Sequence, residues 1–126
     1  MTQKLKFESA WDRTIAEQDR EKIKDAFEKV QLKQDESIQS TPLWQAKNYR
    51  GELLVAVLIH NVGQKDFSFQ NQRTTYLING KTFAEHVFST PITIKKQTSM
   101  PWTFIFPKGS FASDKPYEDG ELNFSL

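Results

Sequence analysis

The stretch that decides the fold reads Glu52-Leu53-Leu54-Val55-Ala56-Val57-Leu58-Ile59-His60-Asn61. From Leu53 to Ile59 it is apolar at every position, not at alternate ones. A strand with one solvated face alternates apolar and polar residues, whereas a strand covered on both faces is continuously apolar. The pattern therefore predicts a central strand with a layer of structure on each side.

Further strands are predicted downstream of this stretch. Asn79-Gly80 separates two β-prone runs, Thr74–Ile78 and Thr82–Phe88, and Asn-Gly is the strongest short-range signal for a hairpin. Large apolar residues alternate from Met100 to Phe106, which predicts a strand with one apolar face. Pro101 cannot donate to a ladder, so it belongs at the start of that strand or at a sheet edge. Shorter strands are expected at Trp44–Tyr49, around Phe67 and Phe69, around Ile92 and Ile94, and at Leu122–Leu126.

Residues 1–33 are predicted to form a helical arm. The apolar residues of this region share one helical stripe: Ile15, Ile23, Ala26, Phe27 and Val30. Ser9 with Asp12, and Thr14 with Glu17, resemble capping boxes, so the arm is either one long helix or two short helices with a restart near Ala16. The polar segment 34–42, which ends in proline, is expected to link the arm to the strands.

The fold class expected from these elements is α+β. The chain has 126 residues, enough for one continuous core. No helix separates the predicted strands, so parallel crossovers are disfavoured and an antiparallel sandwich is favoured. We therefore predict a single domain: the helical arm, the linker, and an immunoglobulin-like β-sandwich over residues 43–126.

Composition argues against several classes of function. The chain carries 17 basic and 16 acidic residues, a net charge of +1, so no overall field attracts nucleic acid or anionic lipid. It has no cysteine, which removes disulfides, thiolate nucleophiles and cysteine metal sites. No apolar run approaches the roughly 20 residues of a membrane-spanning helix, and no secretion signal is recognised at the start. We expect neither nucleic-acid binding nor a membrane span.

No constellation of residues indicates catalysis, a metal or a cofactor. His60 and His86 lack metal-ligand spacing, and a ring hydrogen bond to a backbone carbonyl explains each of them more simply. The serines lack a nucleophile-elbow context, and the glycines are isolated turn residues that make no phosphate loop. An enzyme would need a cleft that holds His60 or His86 near a carboxylate.

The chain has more aromatic and proline residues than a hydrophobic core of this size requires. Five of them are the candidate partner-binding residues: Trp44, Tyr49, Pro101, Trp102 and Pro107. Aromatic side chains anchor protein interfaces when they are exposed. The alternative is that both tryptophans are buried and serve the core.

Four stretches resemble the SLAP domain family of Bacillus-type Gram-positive bacteria: Phe7–Trp11, Glu17–Ile23, Gly51–Asn61 and Ser99–Pro107. The last stretch is the most specific, because Met100-Pro101-Trp102 followed by alternating aromatics and Pro107 is unusual. That family is associated with the accessory Sec system and with S-layer assembly. The resemblance implies a cytoplasmic, non-enzymatic helper that acts with the accessory Sec ATPase or on S-layer precursors.

Two functions follow as hypotheses. The first is a protein-binding module for secretion of surface-layer proteins, which holds its partner through an edge strand or an exposed aromatic patch. The second is an extracytoplasmic structural or wall-binding β domain whose Trp and Tyr residues stack on sugars. A homodimer, formed through an edge strand or by exchange of the helical arm, is compatible with either.

Overall fold

Two helices and nine strands make up the described part of the chain, which in this computed structural model comprises residues 3–33, 35–90, 92–112 and 115–124. The helices are α1 (Ser9–Thr14) and α2 (Glu17–Lys29). The strands are β1 (Lys4–Leu5), β2 (Ile38–Lys47), β3 (Leu53–Asn61), β4 (Phe67–Ser68), β5 (Gln72–Ile78), β6 (Lys81–Phe88), β7 (Thr93–Ile94), β8 (Thr98–Phe106) and β9 (Glu121–Phe124). The predicted α+β class is confirmed.

The strands form three sheets. The large sheet has the order β1-β8-β3-β2, the three-stranded sheet has the order β6-β5-β9, and β4 and β7 make a short ribbon. Strands β2 and β9 approach each other at one edge, and β6 and β8 approach at the other, so the two larger sheets curl toward one another. All strand pairs are antiparallel except β1 with β8, which is parallel. The prediction of a helical arm over residues 1–33 was therefore wrong at β1, which adds a parallel strand to the large sheet; two residues are too short to show a period.

The apolar stretch forms β3, which pairs with β2 on one side and β8 on the other. Eight of its nine residues are buried, so the predicted central strand is confirmed. One face, with Val55 and Val57, belongs to the main hydrophobic core. Helix α2 packs against β2 and β3, and Ile23 is its buried residue.

The main core is rich in aromatic rings. Phe104 lies at its centre, with ring centroids 5.1 Å from Phe88, 5.6 Å from Phe69 and 5.7 Å from Phe124. Phe104 and Phe69 are fully buried. Because these rings come from β8, β6 and β9 and from the residue after β4, the core joins the large sheet to the three-stranded sheet.

The helical arm consists of two helices, one of the two arrangements that the sequence allowed. The backbone of Ala16 is extended, so it separates α1 from α2 at the predicted restart. Ala16 makes no side-chain capping bond to α2. Arg20 joins the two helices, since its guanidinium donates to the carboxylate of Asp12 at 2.8 Å and to the Asp12 carbonyl at 3.0 Å.

The linker is shorter than predicted, because β2 already begins at Ile38. Pro42 therefore lies inside a strand. Since β2 is the outer strand of the large sheet and is bulged between Pro42 and Trp44, the missing N–H is tolerated.

The predicted turn at Asn79-Gly80 is confirmed. Asn79 and Gly80 both have positive φ, 53° and 77°, as the tight hairpin between β5 and β6 requires. The carbonyls of Gln97 and Ser99 accept hydrogen bonds from β1. Pro101 is the fourth residue of β8, and β8 lies between β1 and β3, so the predicted place at a strand start or a sheet edge was wrong. Strand alternation points the nitrogen of Pro101 to the side of β1 but beyond the end of that strand, so no ladder bond is lost there. In the last predicted strand, Leu122 and Phe124 are buried, and Leu126 lies outside the described residues.

Candidate functional site

The five predicted partner-binding residues lie on different surfaces. Pro101 is buried in β8, and Trp102 is half-buried and packs against the main core. Trp44 is half-buried beside the arm, with the Lys22 ammonium 5.4 Å from its ring centroid. Only Tyr49 and Pro107 lie together, at the end of the large sheet where β2 turns into β3 and β8 ends.

Tyr49 occupies the tip of the β2–β3 hairpin and is 90% exposed. The other exposed large apolar residues of the described chain, Val87 and Ile105, are 47% and 46% exposed. A tyrosine this exposed contributes almost nothing to the core, so stability does not explain its presence. We name residues Asn48–Glu52 the hairpin tip.

Asn48 holds the hairpin tip in shape. Its side-chain Oδ1 accepts hydrogen bonds from the backbone N–H groups of Arg50 and Glu52, both at 3.0 Å. Its Nδ2 donates to the Glu52 carboxylate at 2.8 Å. Gly51 closes the turn with a φ of 78°, a backbone conformation that residues other than glycine rarely adopt. The exposed tyrosine therefore stands on a turn fixed by its own neighbours.

Arg50 extends the aromatic surface of Tyr49. The guanidinium carbon lies 5.4 Å from the ring centroid, and Nε donates to the tyrosine hydroxyl at 3.2 Å. Both side chains are exposed. Tyrosine and arginine are the residue types that most often carry the energy of a protein interface. The pair can offer a flat ring, a cation and several hydrogen-bond donors to one partner.

The turn after β8 borders the hairpin tip. Pro107 accepts two hydrogen bonds through its carbonyl, from the Ser110 N–H at 3.0 Å and the Ser110 hydroxyl at 2.7 Å. A Cβ placed on Gly51 would meet the Lys108 side chain at 3.5 Å, so this lysine lies alongside the tip. Sequence reasoning selected Tyr49 and Pro107 here but missed Arg50, Asn48 and Lys108. The signal it passed over is the Asn-x-x-Gly pattern of Asn48–Gly51, which is typical of a fixed turn.

His60 is fully buried on β3 and ties three strands together. One ring nitrogen hydrogen-bonds the Thr41 hydroxyl of β2 at 2.8 Å, and the other hydrogen-bonds the Ser99 hydroxyl of β8 at 2.6 Å. Burial lowers the pKa of His60 to about 4, so the ring is neutral near pH 7. The expected backbone carbonyl partner was wrong, because hydroxyl groups fill that role.

His60 also borders a cavity of about 610 Å³ that Asp35, Glu36 and Glu121 help to line, which is the kind of cleft that the enzyme hypothesis named. Both ring nitrogens of His60 hydrogen-bond hydroxyls, and among the described residues no carboxylate hydrogen-bonds the ring. His86 is half-buried with its ring 4.8 Å from that of Phe88. Within the described ranges, no three His, Cys, Asp or Glu side chains group closely enough to hold a metal ion. No helix of the described chain is long and apolar enough to cross a membrane.

Comparison with protein families gives a match to the SLAP domain over residues 5–125. Comparison with curated proteins and with solved structures gives no match. The matched range contains every strand and helix described above except the first residue of β1, together with the hairpin tip. Since the match spans nearly the whole chain, this protein belongs to the SLAP domain family.

Proposed function

We propose that this chain is a non-enzymatic protein-binding module that assists the secretion or assembly of surface-layer proteins together with the accessory Sec ATPase. The observation that supports the proposal is the SLAP domain match over residues 5–125. The resemblance of the four sequence stretches to that family implies the secretion pathway and a cytoplasmic location.

The hairpin tip is the surface that we propose binds the partner. Tyr49 is almost fully exposed, its turn is fixed by Asn48, and Arg50 adds a cation beside the ring. A fixed aromatic loses little conformational entropy on binding, which makes it an efficient anchor. Trp44, Pro101 and Trp102 then serve packing within the fold, whereas Pro107 borders the binding surface.

The immunoglobulin-like description of the sandwich is part of this proposal. It is supported by two sheets that enclose one core and by mostly antiparallel pairing. In such sandwiches, turns clustered at one end of the sheets commonly carry the binding residues. The hairpin tip and the turn at Pro107 occupy such an end.

The function is tested by affinity purification of the tagged protein from a Gram-positive host, with cytoplasmic and wall fractions analysed separately by mass spectrometry. We expect the accessory Sec ATPase or an unprocessed surface-layer precursor in the cytoplasmic fraction. Recovery of the protein from the wall without either of them would overturn the proposal and favour the wall-binding alternative. Sedimentation of the purified protein would show in parallel whether the chain forms a homodimer.

The binding surface is tested by Tyr49→Ser in the same experiment. The matched control is Val87→Ser, which removes an exposed apolar side chain from β6 and leaves the hairpin tip intact. We expect partner recovery to fall at least about tenfold for Tyr49→Ser, as for an interface anchor, and to stay unchanged for the control. Equal recovery with both variants would place the binding surface elsewhere.

A further inference from the structure

Four lysines surround one depression at the other end of the large sheet. Lys4 and Lys6 come from β1 and the residue after it, whereas Lys95 and Lys96 come from the turn between β7 and β8. All four side chains are exposed, and the depression has a volume of about 400 Å³. We name these residues the lysine cluster.

Strand geometry fixes two of these lysines side by side. Lys4 donates its N–H to the Gln97 carbonyl at 3.0 Å, and Lys6 donates to the Ser99 carbonyl at 2.9 Å. Since side chains alternate along a strand, Lys4 and Lys6 point to the same face, on either side of Leu5. The Cβ atoms of Lys4 and Lys6 therefore stand about two residue rises apart, roughly 7 Å along the strand.

Asp66 contacts the other two lysines, Lys95 and Lys96. Its carboxylate accepts a hydrogen bond from the Lys96 N–H at 3.0 Å and lies 3.4 Å from the Lys95 ammonium. The hydrogen bond from Lys96, followed by the nearby lysine charges, lowers the pKa of Asp66, so its carboxylate stays charged near pH 7. This carboxylate offsets one positive charge. Among the described residues, Lys4, Lys6 and Lys96 form no ion pair.

The concentration of charge is local. The whole chain has a net charge of only +1, yet three uncompensated ammonium groups border one depression. The depression also lies at a sheet edge, because β1 is the outermost strand of the large sheet. Lys4 and Lys6 use their N–H groups toward β8, so alternation turns the N–H and carbonyl of Leu5 away from the sheet.

We propose that the lysine cluster binds an acidic polypeptide segment, held in an extended conformation along the outer edge of β1. Carboxylates at alternate positions of such a segment match the spacing of Lys4 and Lys6. The backbone N–H and carbonyl of Leu5, which point away from β8, supply ladder hydrogen bonds that do not depend on the side chains of the partner.

The surroundings of the lysine cluster favour a polypeptide over an anionic membrane. A membrane-binding surface combines basic residues with exposed apolar anchors. The exposed large apolar residues of the described chain are Tyr49, Val87 and Ile105, and none of them lines the depression. A concave site of about 400 Å³ also fits an extended chain better than a flat lipid surface.

This site is separate from the hairpin tip. Strand β3 runs from Leu53, beside the tip, to Asn61, which pairs with Thr98 at the lysine end. Eight residue rises place the two ends roughly 26 Å apart. The lysine cluster therefore provides a second point of attachment, and it can be tested without any partner of the hairpin tip.

The probe is a fluorescein-labelled peptide of ten residues in which Glu and Ser alternate, titrated with the purified full chain at low ionic strength and followed by fluorescence anisotropy. The test variant carries Lys4→Gln, Lys6→Gln, Lys95→Gln and Lys96→Gln. The control variant carries Lys24→Gln, Lys29→Gln, Lys81→Gln and Lys115→Gln, four other exposed lysines, and so has the same net charge. Circular dichroism checks that both variants are folded.

We expect the test variant to bind the peptide at least roughly tenfold more weakly than the unmodified chain, because each ion pair contributes modestly and the four act together. The control variant should retain affinity to within about threefold, because its lysines are not gathered around one depression. Equal losses in both variants would mean that net charge alone attracts the peptide, and would overturn the proposal.

Two further arms identify the ligand class. A peptide with Gln in place of Glu should not bind, and vesicles of phosphatidylglycerol should not compete for the labelled peptide. Vesicles that bind the chain and displace the peptide through the same four lysines would overturn the polypeptide assignment in favour of a membrane surface. The Tyr49→Ser variant should bind the acidic peptide normally, so a failure of the hairpin-tip proposal is distinguishable from a failure of this one.

Discussion

The two faces of β3 are covered by different kinds of layer. On one face, Val55 and Val57 join an aromatic core shared with the three-stranded sheet. On the other, Ala56 and Leu58 are fully buried on the side where α2 packs and where His60 hydrogen-bonds two hydroxyls. The first face is held by large rings, and the second by one short helix and a polar network.

The difference shows that complete burial does not imply equal resistance to mutation. The aromatic core gains from area and from ring contacts that many strands share. The arm-side face depends on a few docking residues, of which Ile23 is the buried one in α2. We therefore expect the two faces to respond unequally to substitution and to acid.

The largest effect is expected at the centre of the aromatic core. Phe104→Ala should lower the free energy of unfolding by about 4 kcal/mol, because it removes a fully buried ring and leaves a cavity between three other rings. Urea denaturation measures the change. Phe104→Leu is the control and should cost well under half as much, because leucine restores most of the buried apolar area. A cost equal to that of Phe104→Ala would mean that buried area does not account for the loss.

On the arm side, Ile23→Ala should cost about 3 kcal/mol, within the range for a buried aliphatic side chain. The matched control is Lys24→Ala on the same helix, which is exposed and should change the stability by under about 0.5 kcal/mol. If Ile23→Ala melted α2, seen by circular dichroism, while the sheets stayed folded, the arm would be a separate unit and not part of one cooperative fold.

Acid should weaken the arm-side network before it affects the aromatic core. Because the folded-state pKa of His60, about 4, lies below its ordinary value of 6.5, the unfolded chain binds a proton first as the pH falls. The contribution of His60 to stability is therefore complete above pH 6.5 and declines toward pH 4, with a loss of about 2 kcal/mol by pH 5. His60→Gln should remove this slope between pH 7 and pH 5; a slope that persists in the variant would assign it to other groups.

The smallest effect on stability is expected outside both layers, at the hairpin tip. Tyr49→Ser should change the free energy of unfolding by under about 0.5 kcal/mol, because the side chain is 90% exposed. Thermal unfolding of the variant beside the unmodified chain measures this. A larger loss would mean that the Tyr49–Arg50 pair supports the turn instead of being free to bind.

Local patterns predicted the parts of the fold that depend on neighbours in sequence. The continuous apolar run of β3 and the Asn79-Gly80 turn carried enough information by themselves. Strand β1 and the partners of His60 could not be predicted in the same way. Gln3, for instance, reaches the Ser99 hydroxyl across 96 positions of sequence, and no periodicity encodes that pairing.

The candidate site was only partly predictable for a similar reason. Trp44 lies in β2, whereas Tyr49 lies in the turn after it, because the strand predicted over Trp44–Tyr49 ends at Lys47. For Trp44, exposure depends on the face on which strand alternation places the side chain. The bulge in β2 alters that alternation: Pro42 pairs with Val57 and Trp44 pairs with Ala56, so residues two apart point to opposite faces. A single inserted residue of this kind leaves no signal in the composition.

The parallel pairing of β1 with β8 sets an order on folding during synthesis. The ribosome makes β1 first and β8 much later, and a contact between distant segments must pay the entropy of closing a long loop. Helix α2 can dock earlier, since its partners β2 and β3 follow it directly along the chain. Residues 4–6 are therefore expected to be among the last to join the sheet, and until then they stay accessible to chaperones and proteases.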